Sequence, residues 1–300
     1  MDRVSKRDDI EIIVSDNGST KHVEEYEKIR NMKDPHLIYD RLEENIQYYG
    51  NFNHIIKLSR GQFSLLISDE DKLDQKHLSD FMEFLENNRD MGMIKVRTSD
   101  HYSGFEAGSF RSGEEAIKKF YLSGNYISGT VYNRDYVTDE LIDGLKDRYE
   151  GDEGYFYYPH LFVESYILNT ADFHFYDKCL IIEGDEEGDI PRVDKVTVPL
   201  FAAWESRVEQ LSGYFKMIRD LQVDDGRKQL MFMMAVCKTI SLIALVKDKY
   251  VSSGAVWEDV YMSAGNAILQ AATKCGIAVV LDNMEAYLQI IADFIRKDMQ

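Results

Sequence analysis

Over the first hundred positions, apolar residues fall in short runs separated by charged stretches. Ile-Glu-Ile-Ile-Val at 10–14 predicts a buried strand, and the Ser-Asp-Asn-Gly-Ser that follows predicts a turn. Thr20 is placed to cap a helix that runs to about Met32; Pro35 punctuates the chain, and Leu37–Tyr39 predicts a second short strand. Ile46, Tyr49, Phe52, Ile55 and Ile56 have helical spacing, so 46–59 predicts an amphipathic helix stopped by Arg60-Gly61. Phe63–Ile67 predicts a third strand, Gln75–Asn87 a helix and Met93–Val96 a further strand. This alternation predicts an α/β fold, a mostly parallel sheet covered by helices.

Beyond residue 100 the pattern loosens. Residues 103–112 read as a loop, 114–122 and 135–149 as helices, 159–168 as a helix and 173–182 as a strand. Residues 183–194 are rich in acids and carry two glycines, which predicts an exposed loop. After Pro199 the character changes: helical segments are expected near 203–221, 226–249, 256–275 and 283–298. The expected division is an α/β domain over 1–198 and an all-helical region over 199–300. Leu230–Val246 is the one long apolar segment; interrupted by Lys238 and shorter than the roughly 20 residues a span requires, it is expected to be a buried helix. Its apolar face (Leu230, Met233, Met234, Val236, Ile240, Ile243) is expected to pack within the chain or in a homodimer, with peripheral attachment to a membrane surface as the alternative.

Charge narrows the partners. A net charge of −18 argues against general nucleic-acid binding and against a polybasic membrane anchor. Cys179, Cys237 and Cys275 lack any CxxC spacing and are expected to be reduced thiols. The first 20 residues are charged and hold no apolar leader, so a cytoplasmic protein is expected, free or at the inner face of a membrane.

The candidate chemistry begins where the third strand stops. Phe-Ser-Leu-Leu-Ile-Ser runs into Asp69, Glu70 and Asp71, three carboxylates at the carboxyl end of a strand, a donor set that suits Mg2+ or Mn2+. The simpler reading is a set of solvated acids capping the next helix. Asp16 is either a binding group or only a turn former. For His160, assisting an acceptor, binding metal and plain packing all stay open, and Tyr155-Phe156-Tyr157-Tyr158 either packs in the core or stacks on a sugar.

Three blocks together resemble a known family. Glu11-Ile12-Ile13-Val14-Ser15-Asp16-Asn17-Gly18-Ser19-Thr20 resembles the E-I-I-V-x-D-x-G-S-T signature of family 2 glycosyltransferases. Asn45 through Asn53 resembles that family's N-x-G-x-x-x-N-x-N helix start, and Arg60-Gly61-Gln62-Phe63 with Ser68-Asp69-Glu70-Asp71 resembles its strand and Asp-x-Asp metal motif. More loosely, Ile127-Ser128-Gly129-Thr130 with Arg134, then Tyr158-Pro159-His160, is similar to the abequosyltransferase-like subgroup. The resemblance covers roughly 8–180. It implies a GT-A-like nucleotide-binding sandwich and transfer, with inversion, of a sugar from a nucleotide-diphosphate-sugar donor to a glycan or lipid-linked acceptor in cell-surface polysaccharide synthesis. It implies that Asp16 meets the nucleotide base, that Asp69 meets the ribose or the metal, and that Asp71, with Glu70 beside it, holds the metal. Asp152 and Glu153 lie roughly where the family's catalytic base motif often falls, and each is either a candidate base or only a surface acid.

Two departures stand out. Gln47 occupies a position where the family usually has Gly. Family members also open with an apolar strand and a helix, whereas only Met1–Asp9 precede the strand at 10–14 here. The expectation is a member shortened at its amino terminus, with the first strand of the sheet missing. It carries an alternative function: a non-catalytic remnant or assembly partner whose open strand edge pairs with another chain.

Overall fold

The computed structural model describes residues 8–102, 104–124, 126–184 and 198–277. The chain runs through β1 (Ile12–Asp16), α1 (Val23–Arg30), β2 (Leu37–Arg41), α2 (Gln47–Leu58), β3 (Phe63–Leu66), β4 (Lys72–Leu73), α3 (Leu78–Asn87), β5 (Met93–Thr98) and β6 (Gly108–Phe110). It continues with α4 (Glu114–Phe120), β7 (Thr130–Asn133), α5 (Asp139–Tyr149), α6 (Glu153–Tyr157), α7 (Pro159–Thr170) and β8 (Phe173–Ile182). A 3-10 turn at Leu200–Ala202 leads to α8 (Trp204–Asp220), α9 (Asp225–Ala244), α10 (Lys247–Ser252) and α11 (Trp257–Cys275).

Two compact units interleave along the chain. Met1–Ser112, Tyr126–Arg148 and Thr170–Gly184 make the first; Gly113–Asn125, Tyr149–Asn169 and Asp185–Gln300 make the second. The division is therefore not a single cut at 198: α4, α6 and α7 group with the C-terminal helices.

The first unit holds the described strands. β1 and β2 pair in parallel, and a second sheet has the order β3-β7-β5-β8-β4, with β6 also on β8. The sheet is mixed rather than mostly parallel: besides β1–β2 only β5–β8 is parallel, and the β3–β7, β5–β7, β4–β8 and β6–β8 pairs are antiparallel. β8 is the reason for part of this. At ten residues it outruns its neighbours, pairing with β5 on one edge while short β6 joins its start and β4 its end. The outer edges of β1 and β3 have no strand partner among the described residues.

β5 is the centre of this sheet, and its alternation divides the two faces. Ile94 and Val96 point into a cluster with Val131, Tyr176, Leu180 and Ile181, closed by Phe81 and Leu85 of α3. Leu78, Phe81 and Leu85 recur at helical spacing, which is why α3 buries one stripe there. Lys95, between Ile94 and Val96, faces the other way and is fully buried.

In the second unit α8 is the hub, packing on α6, α9 and α11 with Leu211, Phe215 and Ile218 buried. Trp257, Val260 and Ala264 of α11 close on Ile243 of α9. On α9 the expected apolar face is buried at Val236, Ile240 and Ile243, and half-buried at Leu230, Met233 and Met234. The helical stretch 225–252 is long and apolar enough to cross a membrane by length and composition, and 39% of its most apolar window is buried in the protein.

Several boundaries move. β1 starts two residues late and ends on Asp16 itself, so that carboxylate belongs to a strand end and not to the turn. The residue before α1 is His22 in the left-handed region (φ 52°), with no side-chain cap, instead of Thr20. β4, β6, β7 and α6 are elements the pattern reading did not separate. The expected helix at 283–298 and loop residues 185–194 lie outside the described residues.

Candidate functional site

In the first unit the acidic turn is built by strand register. Asp71 N–H donates to Ser68 O (3.1 Å), closing a turn after β3, and the Ser68 N–H is pinned by the Ser128 hydroxyl (2.8 Å). β4 then pairs Lys72 with Ile182 and Leu73 with Ile181. Continuing that register backwards sets Asp71 and Glu70 beside Glu183 and Gly184. Gly184 N–H donates to Asp71 Oδ1 at 3.0 Å. A Cβ on Gly184 would stand 2.0 Å from the Glu70 carbonyl oxygen, so only glycine lets the two backbones pass this closely.

Asp71 Oδ2 accepts a hydrogen bond from the Tyr126 hydroxyl at 2.5 Å. Burial and the charges of Asp71, Glu183 and Glu70 push the Tyr126 phenol upward, so it stays a donor. The Tyr126 ring stacks on His101 (4.8 Å, 11°), and His101 Nδ1 pairs with Glu183 Oε2 at 2.7 Å. Thr98 donates its hydroxyl to the same Glu183. Burial raises Glu183, but the Thr98 and His101 hydrogen bonds and the His101 charge outweigh it and leave the carboxyl below its ordinary value. The result is a closed circuit: Asp71, Tyr126, His101, Glu183, Gly184 and back to Asp71.

Glu70 is pushed up to about 7, by lost hydration first and then by its side-chain hydrogen bond with Asp69 and the charges of Asp69 and Asp71. The three carboxyls are crowded, and a cation would relieve that crowding. Among the described residues, no three His, Cys, Asp or Glu side chains are arranged to hold a metal ion by themselves. One or two carboxylates are what Mg2+ asks of a protein when substrate phosphates complete its octahedron, so the donor set fits a cation of that kind.

Asp16 sits at the end of β1 with 1% of its surface exposed. Its Oδ1 accepts from Ser19 N–H (2.8 Å); its Oδ2 accepts from Tyr39 OH (2.8 Å) and from Arg41 Nη1. Burial raises its pKa, but these donors and the Arg41 charge win and hold it below the usual carboxylate range. The motif asparagines brace the turn that follows: Asn17 Nδ2 donates to Asn45 Oδ1 (3.2 Å), Ile46 N–H to Asn17 Oδ1 (3.0 Å), and Ser15 Oγ to Asn51 Oδ1 (2.6 Å). Gln47, where the family carries Gly, has φ 65°, the region that favours glycine.

The remaining candidates belong to the second unit. Asp152 precedes α6, and its Oδ2 pairs with Lys216 Nζ of α8 at 3.0 Å. Glu153 Oε1 accepts from Ser206 Oγ at 2.8 Å, tying α6 to α8. His160 is 2% exposed, and its Nε2 donates to the Gly124 carbonyl (2.9 Å), the arrangement of a packed interior histidine. Tyr155 is buried, touching Phe162 edge-on at 5.3 Å, while Phe156, Tyr157 and Tyr158 are half-buried.

Tyr126, His101, Glu183 and Gly184 escaped the sequence reading. One signal was present: Tyr126 stands immediately before the Ile127-Ser128-Gly129-Thr130 block. Its distance of 55 positions from Asp71 hid the rest.

A mixed α/β sandwich with an acidic turn at the end of a strand defines a GT-A-like class of protein. The family model of glycosyl transferase family 2 matches residues 2–151, and the chain belongs to that family. An uncharacterized glycosyltransferase of Methanocaldococcus jannaschii, MJ1057, is 30% identical over 83 residues, covering 28% of this chain and 29% of that protein. Abequosyltransferase RfbV of Salmonella typhimurium is 26% identical over 200 residues, covering 60% of this chain and 59% of that protein. The chain thus spans less than two thirds of either relative. Among solved structures, S. aureus TarS 1–349 superposes with a TM-score of 0.62 at 14% identity, covering 99% of this chain and 86% of that one, a likeness of fold. TarS has also been solved in complex with UDP and with UDP-GlcNAc.

Proposed function

We propose that this protein is a metal-dependent glycosyltransferase that moves a sugar from a nucleotide-diphosphate donor to a hydroxyl of a glycan or lipid-linked acceptor. The observation that carries the reading is the 69–71 turn in a family 2 chain: crowded carboxyls, with Glu70 pushed up to about 7 and both oxygens of Asp71 held by donors. Asp71 and Glu70 would hold the cation, with Asp69 beside them. A cation held there would supply positive charge to a diphosphate that leaves with negative charge. Asp16 orders Tyr39, Arg41 and Ser19 at the end of β1 and so shapes the wall a nucleotide base would meet.

The acceptor hydroxyl must lose a proton as the anomeric carbon is attacked, a task for a carboxylate. Asp152 is assigned this role by its place in the sequence motif, and its carboxylate pairs with Lys216; Glu153 fastens α6 to α8 through Ser206. His160 packs, through its bond to Gly124. Direct attack gives inversion.

The test is donor turnover. A panel of nucleotide-diphosphate sugars with Mn2+ is followed by NMR for hydrolysis or transfer. Metal-dependent release of a nucleoside diphosphate that is lost in Asp71→Asn supports the reading; no turnover of any donor and no binding removes it.

A second reading, a non-catalytic assembly partner, is favoured by one observation: among the described residues the outer edges of β1 and β3 have no strand partner. It requires that nucleotide binding be absent while a strand from another chain protects those edges in hydrogen exchange.

A further inference from the structure

Tyr126 lies in an irregular segment between α4 and β7, where a side chain has no regular element to fix it. Three contacts fix it all the same. The fully buried Lys95 donates from Nζ to the Tyr126 carbonyl at 2.6 Å, and the Tyr102 hydroxyl donates to the same carbonyl at 3.2 Å. The ring lies flat against His101.

Lys95 holds the whole turn. Its Nζ also donates to the Ser128 carbonyl (3.0 Å) and to Thr130 Oγ1 (2.9 Å), and sits 4.7 Å over the Tyr102 ring. Gly129 fits the same turn against β5: at φ 82° its carbonyl accepts from Val96 N–H at 2.9 Å, and a Cβ there would stand 2.7 Å from Val96 Cγ2.

An ammonium group in the middle of a central strand is costly, because it gives up its hydration. Methionine would fill the volume at no such cost. What lysine adds is a set of donors aimed at the 126–130 turn, and the product of that turn is the Tyr126 hydroxyl on Asp71.

We propose that Lys95 and Tyr126 are positioning residues for the cation site: Lys95 anchors the 126–130 turn, and Tyr126 sets the plane of the Asp71 carboxylate. The inference rests on the reading of Asp71 as a metal ligand. Tyr126 on Oδ2 and Gly184 N–H on Oδ1 hold the carboxylate against rotation about its last torsion. Each carboxylate oxygen has a second lone pair to offer. Hydrogen bonds of this outer kind orient a ligating carboxylate, and their loss typically lowers metal affinity about 10–100-fold.

The experiment measures Mn2+ alone, by EPR of free against bound ion, in wild type, Tyr126→Phe, Lys95→Met and the double variant. Tyr126→Phe keeps the ring on His101, so its melting temperature should stay near wild type while Mn2+ affinity falls about tenfold. Lys95→Met should lower the same affinity, and the double variant should be no weaker than the worse single one, because Lys95 acts through Tyr126. A purely structural lysine would instead give additive losses. Should Lys95→Met fail to fold, Tyr126→Phe decides. Equal Mn2+ affinity in wild type and Tyr126→Phe overturns the proposal while leaving the cation reading intact; no Mn2+ binding by wild type, either alone or with UDP, GDP or CDP present, overturns the cation reading itself.

Discussion

The backbone at Gly184 passes so close to Glu70 that a single added carbon would stand 2.0 Å from the Glu70 carbonyl oxygen. This approach brings the Gly184 N–H to Asp71. Gly184→Ala must push the two segments apart. The expected cost is about 1–3 kcal/mol, the usual range for overpacking, together with weaker Mn2+ binding. Thermal melts and an Mn2+ titration of the variant check both halves.

Gln47 carries a left-handed backbone that costs a side-chain-bearing residue roughly 1–2 kcal/mol. Its N–H donates to Asn45 Oδ1 (2.8 Å) and its carbonyl accepts from Asn17 (3.2 Å), so the conformation is held from both sides. Gln47→Gly is expected to raise the melting temperature, with a gain of up to about 1 kcal/mol after glycine's own entropy cost. Gln47→Val, branched at Cβ, is expected to lower it. Reversal of that order would contradict the strain argument.

Asp16 is buried with Arg41 and Tyr39 on one oxygen and Ser19 on the other. Asp16→Asn keeps the shape and removes the charge, and should cost about 2 kcal/mol, the scale of a hydrogen bond to a charged group. Because the folded-state pKa is depressed, the stability Asp16 contributes is present above its unfolded value and lost as pH falls through the folded one. The wild-type advantage over the Asn variant in urea melts should therefore shrink in acid.

His174 gives a pH dependence of the same sense by a different route. Lost hydration lowers its pKa to about 4; its Nδ1 meets Ser109 Oγ at 2.8 Å, and its ring lies 4.5 Å from that of Phe84. Unfolding frees it to protonate near 6.5. The contribution of His174 to stability should be flat above that pH and fall between about 6.5 and 4 as the unfolded state takes up the proton. His174→Gln should flatten this part of the profile, and an unchanged slope would contradict the assignment.

How far the sequence carried depended on whether a signal was local. β8 was readable end to end, because ten residues of β-rich chain between a turn and an acid-rich stretch allow little else. The α2 helix and the four strands with clear apolar runs were readable for the same reason. β4 and β6, at two and three residues, hold no alternation to read, and their pairing with β8 made the sheet mixed. Asp69, Glu70 and Asp71 were visible as a cluster, but their setting was not: Glu183 and Gly184 arrive through the β4–β8 register and Tyr126 from the irregular segment before β7. Lys95 lies unremarked inside the predicted 93–96 strand, because its partners in 126–130 are more than thirty positions away.

The central claim is that the 69–71 turn uses a divalent cation to hold a donor's diphosphate. The most direct measurement is calorimetric titration of nucleoside diphosphates (UDP, GDP and CDP) into the protein with and without Mn2+, repeated on an Asp69→Asn, Asp71→Asn double variant. The account predicts that at least one of them binds in a metal-dependent way and that the double variant loses this binding. Binding that ignores both the metal and the two substitutions would contradict it.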